Sequence, residues 1–336
     1  MTASAVTPPP APAVAPAEPR VPTATRVIGW IATNGIFVFT VVLVVGASLL
    51  VDGFASATNI GDVFHRAAPI GIVAVGMTFV VISGNYLDLS VVAQVATAAV
   101  ILIGVSNGHG IGLAILAALV VAGLYALVNG VAVGYFKANA VIVTLSTTYI
   151  GLGVLRWLSG GSIFFGPPDG PIATFGDIKV GPVPISAVVL LLMAGVLGFV
   201  LSRTTFGFVI RSFGSNKEAT RLAGVATGRV VLGAFLITSI SAMVAGFVLA
   251  AFSNTAVSSM SQGYDFGALA AIIIGGTSVF GGRGSVLRTL LGVIFVSVLT
   301  NILVLANLSY GWQQVVIGSL IVLAVSVDAL ARRVSA

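Results

Sequence analysis

The sequence predicts an all-α integral membrane protein with about ten transmembrane helices. Three observations predict it. Hydrophobic residues make up 58% of the 336 residues and charged residues 7%, with a mean hydropathy of +1.15. Long apolar runs recur between short polar breaks. The sparse cations gather in alternate breaks, as the positive-inside rule requires.

The composition excludes a water-facing surface. A soluble domain carries about 25% charged residues, so the surface of this chain must face lipid. Forty-one glycines and only two glutamates, Glu18 and Glu218, fit that solvent. The chain has no cysteine, which removes disulfides, thiolate catalysis and cysteine-based metal sites. The net charge of +6 is dispersed between apolar segments rather than gathered on one patch, which argues against nucleic acid.

Residues 1–26, rich in Ala and Pro, read as a disordered cytoplasmic tail. Residues 27–331 read as one transmembrane domain. A crossing needs about 20 apolar residues. The candidate spans are Ile28–Val51, Ala67–Ser83, Leu89–Val105, Ile111–Gly134, Ala140–Leu158, Val183–Leu201, Val230–Phe252, Phe266–Phe280, Val286–Ala306 and Trp312–Leu330. With the amino terminus in the cytoplasm, alternation places twelve of the fifteen Lys and Arg residues inside. Only Arg66, Arg156 and Lys179 fall outside. Both termini are then cytoplasmic. Trp30, Trp157 and Trp312 fall at predicted helix ends, where interfacial aromatics belong.

Two places break the regular pattern. Ser83–Ser90 separates two runs that are each short for a crossing and carries Asp88. A carboxylate at the bilayer centre costs about 2.5–3.5 kcal/mol on insertion scales, so Asp88 must face protein or water, or sit near the cytoplasmic edge. It reads either as a cap of the following helix or as a hinge beside a solute path. Five glycines, Gly275, Gly276, Gly281, Gly282 and Gly284, lie within ten residues after a run of only about 15. They read as close helix packing or as a hinge. Paired short or glycine-broken segments in two halves are a pointer to inverted repeats around a transport path.

The longest polar stretch after the tail is the cytoplasmic loop 203–229, with five of the basic residues. Ser215-Asn216-Lys217-Glu218 reads as a capping box, with Ser215 at the cap and Glu218 three residues on. Ala219, Leu222 and Ala223 follow at helical spacing, and Gly224 suits a stop. A helix over about Asn216–Ala223 is too short to stand alone in water. It lies either on lipid headgroups, through Lys217 and Arg221, or in a groove of a soluble partner.

Some chemistry is missing. None of the three lysines follows glycine, so the chain has no G-x-x-x-x-G-K-[ST] phosphate loop. There is no H-E-x-x-H, and His65 and His109 fall in predicted outside loops as solvated residues. An energised pump would need its engine on another chain.

Three stretches carry a family likeness. Gly76-Met77-Thr78 through Leu87-Asp88-Leu89-Ser90, the segment Gly214–Gly224, and the segment Ile274–Gly284 resemble three motifs of one family. It is the permease subunit of bacterial ATP-binding-cassette (ABC) importers for monosaccharides. That branch includes ribose, xylose, arabinose, galactose and autoinducer-2 permeases. The likeness runs from about residue 30 to 330, with departures: an extra residue in Ser83–Asp88, Val92 in place of glycine, and Thr220 in place of alanine.

The resemblance implies an inverted-repeat permease fold of the type II-like class in the bacterial inner membrane. It implies a homodimer, with cytoplasmic ABC ATPase subunits that hold ATP and Mg, and a periplasmic or lipid-tethered sugar-binding protein. No cofactor or metal is expected on this chain, which is then not itself an enzyme. Ser215, Asn216, Glu218, Ala219, Arg221, Leu222 and Gly224 would dock the ATPase. Polar residues within the predicted membrane region, Asn85, Asp88, Gln94, Asn129, Thr144 and Asn301, would line the path or tie helix to helix. A stand-alone facilitator or ion-coupled carrier is the competing function.

Overall fold

The computed structural model describes residues 23–84 and 86–335, with side chains described over 35–84 and 86–326. Residues 1–22 and Asn85 lie outside the described residues, so the tail reading and one path residue go untested there. The helix α1 (Thr23–Leu50) begins inside the stretch read as tail.

Every predicted span overlaps a helix, but the span Phe266–Phe280 overruns its helix, which ends at Ile274 where Gly275 and Gly276 turn the chain. After α1 come α2 (Ala57–Ile82), α3 (Val91–His109), α4 (Ile111–Gly134) and α5 (Ala140–Ser159). A short connecting segment follows: β1 (Phe164–Phe165), α6 (Pro171–Asp177), β2 (Lys179–Val180) and β3 (Val183–Pro184). Then come α7 (Ile185–Arg203), α8 (Thr205–Ser215), α9 (Lys217–Leu222), α10 (Thr227–Ser253), β4 (Thr255–Ala256), α11 (Tyr264–Ile274), α12 (Val286–Leu305) and α13 (Tyr310–Ser335). Among the described residues, α2, α3, α4, α5, α7, α10 and α12 are long and apolar enough to cross a membrane. Gly35–Leu50 of α1, α11 and Tyr310–Ser326 of α13 are shorter apolar helices.

Helices α2, α3 and α10 form the core. From Ala67 to Ile82 almost every residue of α2 is buried, against α7, α10, α11 and α12. Helix α10 packs on α2, α3 and α4. The approach to α4 is close enough that a Cβ on Gly134 would sit 2.9 Å from the Gly228 carbonyl oxygen, so only glycine fits. Helices α4 and α5 expose broad apolar faces, as lipid-facing helices do.

Two predictions fail for physical reasons. Helix α2 starts ten residues before the predicted Ala67, because its first turns carry Asp62, His65 and Arg66 and end the hydropathy signal early. Ser56 caps it, its Oγ accepting from the Asn59 amide at 3.2 Å. His65 is therefore a helical residue rather than a loop residue. It is hydrogen-bonded to Ser186 (3.1 Å) and stacked on Phe252 (4.4 Å between ring centres). His109, likewise read as a loop residue, is the last residue of α3 and is exposed.

The second is α8, which lies in the polar stretch read as loop. Thr204 caps it, and Phe206, Val209, Ile210 and Phe213 recur at helical spacing to pack inward. Phe206 stacks on Phe79 of α2 at 6.3 Å.

Helix α10 spans about 40 Å at 1.5 Å per residue. Loop 203–229 leads into its first turn, while β4, just past its last turn, pairs antiparallel with β1. The segment from β1 to β3 and the loop 203–229 thus lie at opposite ends of the bundle.

Candidate transport and coupling site

The chain between α2 and α3 builds the first part of the site. Ser83 ends α2, and Gly84 follows at φ +102°, a conformation that suits glycine. The chain then turns inward and buries Asp88 completely. Asp88 Oδ1 accepts from the Ser90 amide at 3.0 Å and from the Ser90 hydroxyl. The N-cap of α3 is Ser90 itself, so Asp88 braces the residue that precedes the helix and does not cap its first turn.

Around that carboxylate lies a polar cluster within an apolar bundle. Gln94 Nε2 donates to Ser90 Oγ at 2.8 Å and to Asp88 Oδ2 at 3.5 Å. Asn129 Nδ2 of α4 donates to Ser90 Oγ at 2.9 Å, and Asn129 Oδ1 accepts from Thr147 Oγ1 of α5 at 3.0 Å. Thr144 and Thr148 of α5 donate to the backbone carbonyls of Leu87 (3.4 Å) and Leu89 (2.9 Å). Three helices are thereby tied to one break in the chain.

Of the six residues read as path, Asp88, Gln94, Asn129 and Thr144 come together. Asn301 does not. Its amide exchanges two bonds with Asn59, at 2.8 and 3.0 Å, and ties α12 to the first turn of α2. Asn85 lies outside the described residues. Sequence reasoning missed Ser90, Thr147 and Thr148. Ser90 stood inside the quoted Asp88-Leu89-Ser90 motif, and the run of hydroxyls from Thr144 to Thr148 was the signal for the other two.

Close by, an open groove of about 700 Å³ runs between α3, α4 and α5. Its walls are almost wholly apolar, with Val100, Leu124, Val128, Ile150 and Val154 among them. It suits an acyl chain better than a hydroxylated solute.

At the other side of Gly84 three backbone segments meet. The Gly282 amide donates to the Ile82 carbonyl at 2.9 Å. A Cβ on Gly281 would collide with Gly84, and one on Gly214 with the Ile82 carbonyl. Gly275 packs against Arg288 of α12 with equal tightness, whereas a Cβ on Gly276, at φ +83°, would meet only the tip of the Arg288 side chain at 3.9 Å. So Gly275 serves packing and Gly276 a turn, while Gly281 and Gly282 do both.

Helix α9 sits on this junction. Its cap is Asn216, whose Oδ1 accepts from the Ala219 amide at 2.9 Å. Ser215 is instead the last residue of α8, which removes it from the cap. Glu218 does not reach back to a cap either. It is clasped by Arg221 through two bonds, of 3.0 and 2.6 Å. That guanidinium holds the Glu218 carboxyl below its usual range. Gly224, at φ +83°, closes the turn after α9. Thr220 faces the body of the protein, and Leu222 is 72% exposed.

Comparison with known families decides the class. The family described as branched-chain amino acid transport system / permease component matches residues 59–325. The chain belongs to this permease family. Among its relatives, the ribose import permease RbsC of Haemophilus influenzae is 29% identical over 296 residues, covering 87% of this chain and 91% of the relative. The probable ABC transporter permease YphD of Escherichia coli is 32% identical over 321 residues, covering 88% and 89%. The D-allose transport system permease AlsC of the same organism is 28% identical over 306 residues, covering 90% and 92%. No solved structure matches the permease. It is thus a multi-pass membrane protein, and permeases of ABC importers work with an ATPase and a substrate-binding protein.

Proposed function

We propose that this permease is the membrane-spanning subunit of an ATP-driven importer for a monosaccharide or a similar small polyol. Its relatives named for ribose and D-allose support the sugar class. In this reading the domain over residues 27–331 crosses the inner membrane ten times with both termini in the cytoplasm. Two copies form the path, a periplasmic or lipid-tethered binding protein delivers the sugar, and ATP and Mg reside on the partner ATPase.

One observation carries the reading. Both cations of α9 are engaged within the protein, Arg221 with Glu218 and Lys217 with Gly84 and Tyr86. Lys217 is turned onto the protein and the charge of Arg221 is offset by Glu218, which weakens the support for a membrane-surface helix. What α9 presents outward is Leu222 and a neutralised ion pair, a face suited to a protein groove. Ser215, Asn216, Ala219 and Gly224 shape that face, and the ATPase docks on it.

The double variant Glu218→Arg, Leu222→Asp tests this. The protein still inserts, the ATPase no longer co-purifies, and uptake collapses. Retained co-purification and uptake would remove α9 as the docking element. The buried carboxylate of Asp88, with no ion-pair partner among the described residues, is the observation that favours an ion-coupled carrier instead. Proteoliposomes with the permease alone separate the two, since a carrier moves solute without the ATPase.

A further inference from the structure

We propose that Lys217 is a positioning residue that clasps the docking helix to the chain break between α2 and α3, so that movement of α9 is passed to the Asp88 cluster. This rests on the reading of α9 as the ATPase-docking helix.

Lys217 is the first residue of α9, yet its side chain turns back toward the membrane domain. Its Nζ donates to the Gly84 carbonyl at 3.0 Å and to the Tyr86 hydroxyl at 3.3 Å. The same ammonium lies 4.3 Å from the centre of the Tyr86 ring and 5.8 Å from that of Phe213. It therefore bridges α8, α9 and the segment after α2. Gly84 leaves room for it: a Cβ there would lie 3.2 Å from Lys217 Cε.

The backbone beneath is equally close, with Gly214 against Ile82 and Gly281 against Gly84. Four residues beyond Gly84, the same segment carries Asp88 and its bonds to Ser90 and Gln94. A shift of α9 therefore pulls on Gly84 and Tyr86 through a charged hydrogen bond, while glycine contacts carry the push. Within the docking segment Lys217 is the one residue whose side chain both holds the break and belongs to the docking helix among the described contacts.

The variants Lys217→Met, which keeps the apolar stem, and Lys217→Arg, which keeps the charge, test the clasp. In the complex with ATPase and binding protein, Lys217→Met leaves the ATPase bound but lowers uptake per ATP hydrolysed several-fold, and Lys217→Arg restores it. In the permease alone, Lys217→Met raises amide exchange over residues 84–90 several-fold. Wild-type coupling together with wild-type exchange in Lys217→Met overturns the proposal. If the unmodified permease binds no ATPase, the docking reading fails by itself, and the exchange measurement still decides whether Lys217 holds the break.

Discussion

Gly282 donates its backbone amide to the carbonyl of Ile82, 200 residues earlier in the chain, at 2.9 Å. That one bond joins the glycine-rich turn after α11 to the end of α2. It leaves the α8–α9 junction packed against both. The segments that looked irregular in the sequence are irregular because they meet.

The first prediction follows from the room at that junction. Gly281→Ala places a methyl group against Gly84 and strains a φ of +88°. It should destabilise the protein by about 2–4 kcal/mol, from overpacking and strain together. Gly276→Ala makes only an ordinary contact with the tip of Arg288 and should lose only about 1 kcal/mol to its φ. Thermal unfolding in detergent checks the order, with Gly281→Ala well below Gly276→Ala.

A second prediction concerns Ser90, whose hydroxyl serves Asp88, Gln94 and Asn129 at once. Ser90→Ala removes all three bonds and leaves a buried carboxylate with fewer donors. The cost should be about 2–3 kcal/mol, read as a lower melting temperature. Asp88→Asn keeps the shape and should preserve ATP-driven uptake. Loss of uptake in a well-folded Asp88→Asn protein would point to ion coupling.

Asn59 and Asn301 offer a double-mutant cycle. Either change to Leu removes both bonds between the two amides, Asn59 keeping only its bond to the Phe54 carbonyl when Asn301 is changed, and should cost about 0.5–2 kcal/mol. The Asn59→Leu, Asn301→Leu pair should cost less than the sum of the two. Uptake by the double variant should match wild type, since the pair lies away from the Asp88 cluster.

The Glu218–Arg221 clasp makes a pH prediction. The folded-state pKa of Glu218 lies below its ordinary value, so the contribution of the clasp is present above about pH 4 and fades as pH falls through the lower folded value. The pair is fully exposed and screened by salt, so the effect is local. Amide exchange over α9 should be level between about pH 5 and 8 after correction for intrinsic rates, and should rise below about pH 4.

What the sequence revealed follows physical scale. Lipid imposes a length and a composition on each crossing, so Ile111–Gly134 reads identically in sequence and structure. The polar break at Asp88 and the crowding of glycines were visible because each violates the hydrocarbon rule. Helix α8 was hidden because Arg211 and its neighbouring polar residues masked an amphipathic face that packs on α2. The Ser215 cap was misread because two adjacent residues can both cap, and only packing decides that α8 runs through Ser215. The link from Lys217 to Gly84 spans 133 residues and has no local signature at all.

ATP-dependent uptake in proteoliposomes tests the central claim most directly. The permease is reconstituted with its ATPase, ribose is the first solute tried, and the binding protein is supplied on the outer face. The account predicts accumulation only when ATP is enclosed, with none from the permease alone. Equal accumulation by the permease without the ATPase would contradict it.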